Sequence, residues 1–151
     1  MITFGLYVMT NDYMQNFYPM SYPQDKAFKR PFFLVINDSL INGLIWLVPL
    51  SSQINKYKPI LSKYPNAGEI VNLYGKSISV VLTQNIVPAL PEHIDREYTV
   101  NGVPYVLRDA KLEKSILSKA SSVRYLLENG KIQQHKEIMA LKDKLIEEMK
   151  K

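Results

Sequence analysis

The chain has 151 residues, 46% of them apolar and 22% charged, a balance that suits one self-contained core and excludes wholesale disorder. It has no cysteine, which removes thiolate nucleophiles, structural zinc sites and disulfide frameworks together. The formal net charge of +5, with a pI near 9.3, favours an anionic partner. A single domain spanning 1–151 is expected, with a β core over about 1–90 and a helical cap over about 105–151. The opening "MITFGLYVMTNDY" lacks the features of a secretory leader, and "LINGLIWLVPL" is far short of a membrane span, so a cytoplasmic protein is expected.

In chain order, "ITFGLYVM" mixes β-branched, aromatic and aliphatic residues and reads as a first strand. "TNDYMQNFY" offers Thr10, Asn11 or Asp12 as the cap of a short helical turn carrying Tyr13 and Phe17. The prolines of "PMSYPQDKAFKRP" make Pro19 to Pro31 an irregular loop holding aromatics and cations side by side. "FFLVIND" and "GLIWLVPL" then read as two buried strands joined by a turn at Gly43. "EIVNLYGKSISVVLTQNIVPAL" repeats the pattern: a strand, a "YGKS" turn and a longer strand ending at Pro88. Five or so short strands in the first two-thirds predict a small barrel or strongly curled sheet.

"PALPEHIDREYTVNGVPY" reads as a loop or small hairpin. From Asp109, an N-cap candidate, the spacing of Leu112, Ile116, Leu117, Val123 and Leu127 predicts a helix that stops at Gly130. "KIQQHKEIMALKDKLIEEMKK" predicts a second amphipathic helix with Ile138, Leu141 and Leu145 on one stripe. The expected class is therefore α+β, an antiparallel β core with added helices.

Few residues could carry chemistry. His93 and His135 lie far apart with no carboxylate cluster near either, and a surface role is expected for each. "GKS" at Gly75 to Ser77 lacks the upstream glycine of a phosphate loop and reads as a turn. No GxSxG elbow exists. No acid occurs from Ser39 through Gly68, a span holding Lys56, Lys58 and Lys63, with Lys26, Lys29 and Arg30 just upstream. Ser51 and Ser52, at a strand end in this region, fit an ordinary turn or a Ser–Lys dyad with Lys56. They also fit an RNA-directed site in which hydroxyls and lysines contact phosphates and tyrosines stack on unpaired bases.

The ordered boxes "KRPFFLVIN", "GLIWLVPLSS" and "ISVVLTQNIVPA", together with the "SSVRYLLENGK" helix end, resemble the toxins of type III toxin–antitoxin systems, the ToxN, AbiQ and CptN group of endoribonucleases. The resemblance spans nearly the whole chain, and the KRP and PLSS boxes are its specific parts. It implies a compact barrel akin to the MazF and CcdB toxins. It also implies RNA cleavage without metal or other cofactor, in which the ribose 2′-hydroxyl attacks its own phosphate to leave a 2′,3′-cyclic phosphate. Residue by residue, it carries the hydroxyl pair to Ser51 and Ser52, with Ser52 as the essential serine. The basic residue falls on Arg30, or on Lys29 one position earlier. The N-terminal tyrosine falls on Tyr13, a loop tyrosine on Tyr22 and a later one on Tyr105. Relatives follow the serine box with proline and lysine, whereas Gln53 and Ile54 follow here and the nearest cation is Lys56.

The implied partners are target cellular RNA and a repeat-derived antitoxin RNA, folded as a pseudoknot and closed into a protein–RNA ring; no membrane is implied. Tyr22, Lys26, Lys56, Lys58 and Lys63 are the expected RNA contacts. A non-catalytic RNA-binding barrel is the alternative, and a Ser–Lys hydrolase a more distant one.

Overall fold

A computed structural model describes residues 1–24, 30–73 and 77–151. The first strand, β1, covers Leu6–Met9 and leads directly into the short helix α1, Asn11–Asn16. Of the three possible caps, Thr10 is the one used: its hydroxyl accepts from the Tyr13 N–H at 3.1 Å.

β2, Pro31–Asn37, and β3, Ile45–Ser51, form the expected antiparallel hairpin. Gly43 in its turn has φ +94°, a backbone state that a side chain resists. Asp38 closes the turn by accepting from the N–H groups of Leu40 and Ile41, each at 2.9 Å.

β3 is the hub of the sheet. One edge is covered by β2, and the other is divided between β5, Ser77–Val81, at Leu50–Ser51 and β6, Val87–Ala89, at Ile45–Leu47. Pro49 sits at this changeover, where it has no N–H to offer, and its carbonyl accepts from the Leu82 N–H at 2.8 Å. The long strand expected up to Pro88 is thus one run along β3 that is interrupted by a single 3-10 turn, Thr83–Asn85, tied down by the Thr83 hydroxyl donating to the Asn66 carbonyl at 2.7 Å.

β4, Glu69–Leu73, pairs with β5, and β7, Ile94–Glu97, pairs with β1. The order is β4-β5-β3-β2-β1-β7, with β6 beside β3, and every ladder among the described residues is antiparallel. No ladder joins β4 to β7 among those residues, so no closed barrel is found where a small barrel or strongly curled sheet was expected. The "YGKS" turn between β4 and β5 includes 74–76 and lies outside the described residues. The region after residue 88 does hold a small hairpin, β8 Thr99–Val100 and β9 Val103–Pro104. Asn101 and Gly102, at φ +53° and +78°, form its turn.

A helix not expected from the sequence, α2, spans Ile54–Lys63. Ile54, Tyr57, Ile60 and Leu61 recur at helical spacing and pack on Val80 and Leu82. Pro59 argues against a helix, yet its missing N–H removes only one backbone hydrogen bond from α2.

Asp109 caps α3, Ala110–Glu128, by accepting from the Lys111 and Leu112 N–H groups. Gly130, at φ +67°, follows its end. The last helix, α4, spans His135–Met149 and starts later than expected. Its Ile138, Leu141 and Leu145 pack with Ile116, Ala120 and Leu127 of α3 into the same core as Trp46, Phe32 and Phe33. Among the described residues, no helix is long and apolar enough to cross a membrane.

Candidate functional site

The register of the central hairpin, with Phe32 opposite Pro49, brings the residue before β2 level with the end of β3. That residue is Arg30. Its guanidinium Nη1 donates to the Leu50 carbonyl at 2.8 Å, and only 5% of the residue is exposed. An arginine keeps its charge when buried, so hydrogen bonding holds a permanent cation in the wall of this strand end.

Leu50 is followed by the two serines, and the fold separates their roles. Ser51, buried and opposite Val80, accepts from the Gln53 N–H at 3.2 Å and so shapes the turn that leaves the strand. Ser52 is exposed, and its carbonyl accepts from the Ile54 N–H at 2.9 Å. Ser52 therefore stands at the surface two residues after the carbonyl that holds the buried cation.

α2 begins two residues later. Gln53 occupies its N-cap, its side chain making no capping bond to the helix, and the first turn carries no acid. The positive end of the helix, with first-turn amides that have no intrahelical acceptor, thus follows Ser52 directly. α2 also carries Lys56, Lys58 and Lys63, all exposed. Among the described residues no carboxylate stands within ion-pair distance of these three. The Lys56 ammonium lies 5.3 Å from the Tyr57 ring centre, and that of Lys63 lies 5.4 Å from the Tyr64 ring centre. The spacing of Ile54, Tyr57 and Leu61 was the sequence signal that could have revealed this element.

Other expected residues are placed elsewhere. Tyr13 is fully buried and donates its hydroxyl to the Pro88 carbonyl at 2.7 Å. Burial, reinforced by Tyr18 and Tyr22, pushes its phenol well above the ordinary tyrosine range. Its observed contact fastens α1 to β6 in the core. Tyr22 is likewise buried, donates to the Ile86 carbonyl at 3.1 Å and is raised by burial, so its ring is not a platform open to a base. Tyr105 is buried against Phe33. Lys26 and Lys29 lie outside the described residues.

The surface role expected for His93 is corrected. The ring is buried between Tyr13 and Phe17, its Nδ1 accepts from the Leu90 N–H at 3.1 Å, and burial lowers its pKa against the opposing pull of Glu92, Asp12 and Glu148. His135 instead hydrogen-bonds the Leu127 carbonyl across the turn between α3 and α4. Among the described residues, no three histidine, cysteine, aspartate or glutamate side chains gather as metal ligands.

An antiparallel sheet, with a hydroxyl and a buried cation at the end of its hub strand and helices packed against it, defines the class of molecule to compare. No protein-family model matches the sequence, and no curated protein matches it significantly. Solved structures do match. AbiQ, a lactococcal anti-phage endoribonuclease belonging to the type III toxin–antitoxin system, is similar over 97% of this chain and 98% of its own, with a TM-score of 0.64 and 14% identity. A chain from a bacterial antiviral system regulated by a processed non-coding RNA is similar over 85% of this chain and 88% of its own, with a TM-score of 0.57 and 16% identity. The chain has the fold of these two proteins, in agreement with the ToxN, AbiQ and CptN resemblance carried by its KRP and PLSS boxes.

Proposed function

We propose that this protein is the endoribonuclease toxin of a type III toxin–antitoxin system, acting on cytoplasmic RNA. The observation that carries the reading is the bond from Arg30 to the Leu50 carbonyl, which sets a permanent cation beside the Ser51–Ser52 pair. The substrate supplies its own nucleophile. Its 2′-oxygen bonds to the adjacent phosphorus, the bond from phosphorus to the 5′-oxygen breaks, and the 2′-proton is given up while the departing 5′-oxygen gains one. The products are a 2′,3′-cyclic phosphate and a 5′-hydroxyl. This chemistry asks the protein for in-line placement, charge stabilisation and proton movement, with no requirement for a bound ion.

In this reading the Ser52 hydroxyl donates to the scissile phosphate, and the Arg30 charge stabilises the phosphorane with help from the first amides of α2. Ser51 positions Ser52 by holding the turn. Lys56, Lys58 and Lys63 grip the flanking phosphates, which are also those of a repeat-derived, pseudoknotted antitoxin RNA that the toxin trims and that closes with it into an inactive assembly. The buried contact of Tyr13 makes it a residue that supports the site through the fold.

The experiment is incubation with A-rich RNA in EDTA, followed by analysis of the ends. Cyclic-phosphate ends are expected from the parent, and a rate about 10²–10³ lower from Ser52→Ala, which removes an exposed hydroxyl and leaves thermal unfolding unchanged. RNA bound but left intact by the parent identifies a non-catalytic binding module instead. Equal cleavage by Ser52→Ala removes Ser52 from the chemistry.

A further inference from the structure

A second concavity, sharing no residue with the Arg30–Ser52 end, has a volume of about 550 Å³, within the range of small-ligand sites. It lies between the 3-10 turn that interrupts the β5–β6 run and the start of α4. Four carboxamides line it, those of Gln84, Asn85, Gln133 and Gln134, with Lys136 and Glu137 alongside. Ser21 and Tyr22 complete the wall.

A carboxamide presents a donor and an acceptor side by side, which is what the edge of a nucleobase requires, and Asn or Gln bonds adenine at N6 and N7 together. An apolar occupant would leave several of these groups unpaired, at a cost for each. A phosphate inside the cavity would meet the Glu137 carboxylate, which already accepts from the Ser21 hydroxyl. A neutral, polar heterocycle fits both constraints. The contact from Gln134 Nε2 to the Gln84 carbonyl is long, 3.5 Å, and easily exchanged for a better partner. Lys136 is exposed with no carboxylate in ion-pair distance among the described residues, so it can take the phosphate of the same nucleotide.

We infer that this cavity is a base-recognition subsite that holds one unpaired adenosine of the bound RNA, apart from the point of cleavage. The inference rests on the RNA-directed reading above. The test titrates adenosine 5′-monophosphate and uridine 5′-monophosphate separately against the Ser52→Ala protein, following backbone and side-chain amide resonances by NMR. The adenine nucleotide is expected to shift the amides of Gln84, Gln133 and Gln134, and the uridine nucleotide to leave them unmoved. Gln133→Ala and Gln134→Ala should each weaken adenine binding about tenfold, the loss of one base-edge contact. Neither should alter melting, because Gln133 is exposed and the Gln134 side chain makes no capping bond to α4.

Equal response to both nucleotides, or to inorganic phosphate, overturns base recognition. A parent protein that cleaves RNA while its carboxamides ignore adenine overturns the subsite and leaves the nuclease reading intact. Adenine binding by a protein that binds RNA without cutting it supports the subsite and removes the nuclease reading.

Discussion

The guanidinium of Arg30 donates to the carbonyl of Leu50 at 2.8 Å, binding a charge from the approach to β2 onto the hub strand one residue before the serine pair. The cation cannot move away from the strand end without breaking that bond, so the proposed site carries its charge in the folded protein by itself. Arg30→Ala is expected to lower single-turnover cleavage at saturating RNA by about 10²–10³. It should also cost about 1.5–3 kcal/mol of stability, the worth of a hydrogen bond to a charged group. Arg30→Lys, which keeps the charge without the planar fork, should fall between. Urea unfolding and quenched-flow cleavage separate the two losses, and an Arg30→Ala protein that cleaves like the parent would show that the charge serves the fold alone.

The lysines of α2 are predicted to act through phosphate neutralisation. In the Ser52→Ala background, log Kobs for a single-stranded RNA should fall linearly with log salt concentration. Lys56→Ala, Lys58→Ala and Lys63→Ala should each reduce that slope by about 0.7. Fluorescence anisotropy at several potassium chloride concentrations measures it; three unchanged slopes would take α2 out of the interface.

Asp38 is expected to be the costliest surface-distant residue to remove. Its carboxylate accepts from Trp46 Nε1 at 3.0 Å and from Arg124 at 3.2 Å, besides the two turn amides. Arg124 in turn lies 5.0 Å from the Trp46 ring and pairs with Glu128, which also takes Lys142. Burial raises the Asp38 pKa, but the hydrogen bonds from Trp46, Ile41 and Leu40, with the Arg124 charge, outweigh it and leave the group below the ordinary carboxylate range. Asp38→Ala strands these donors around a vacated site and should cost about 3–5 kcal/mol in denaturant unfolding. A loss under 1 kcal/mol, roughly the worth of an exposed pair, would show the network to be ornamental.

Acid should weaken the fold in two stages. His93 is held neutral by burial, its pKa lowered, so below its unfolded value near 6.5 the unfolded chain takes up a proton that the folded chain does not, and stability falls as pH drops. Asp38, also lowered, has its full effect above its unfolded value near 3.8 and loses it as pH falls through the lower folded value. His93→Asn, which can still accept from the Leu90 N–H, should flatten the upper stage and leave the lower one. Melting temperature across pH reports both; an unchanged upper stage would assign it to another group.

Much of the architecture is written in short-range signals. Thr10 and Asp109 cap their helices, Gly43 and Gly130 supply left-handed turns, and Ile138, Leu141 and Leu145 bury one stripe, each legible because the physics acts within a few residues. α2 was less legible because Pro59 and the run of lysines masked a helical spacing whose burial against Val80 and Leu82 depends on a distant strand.

The sequence by itself determined the α+β class, the two C-terminal helices with the Asp109 cap of the first, the acid-free basic stretch and the serine pair at a strand end. Only the tertiary structure decided that Arg30 bonds the Leu50 carbonyl, that Ser51 is buried while Ser52 stays exposed, and that Tyr13 donates to Pro88 inside the core. The reason is that periodicity reports which residues suit an interior, whereas a tyrosine or arginine suits either side. Its place is chosen by the register of strands and by the backbone carbonyl that register leaves within reach.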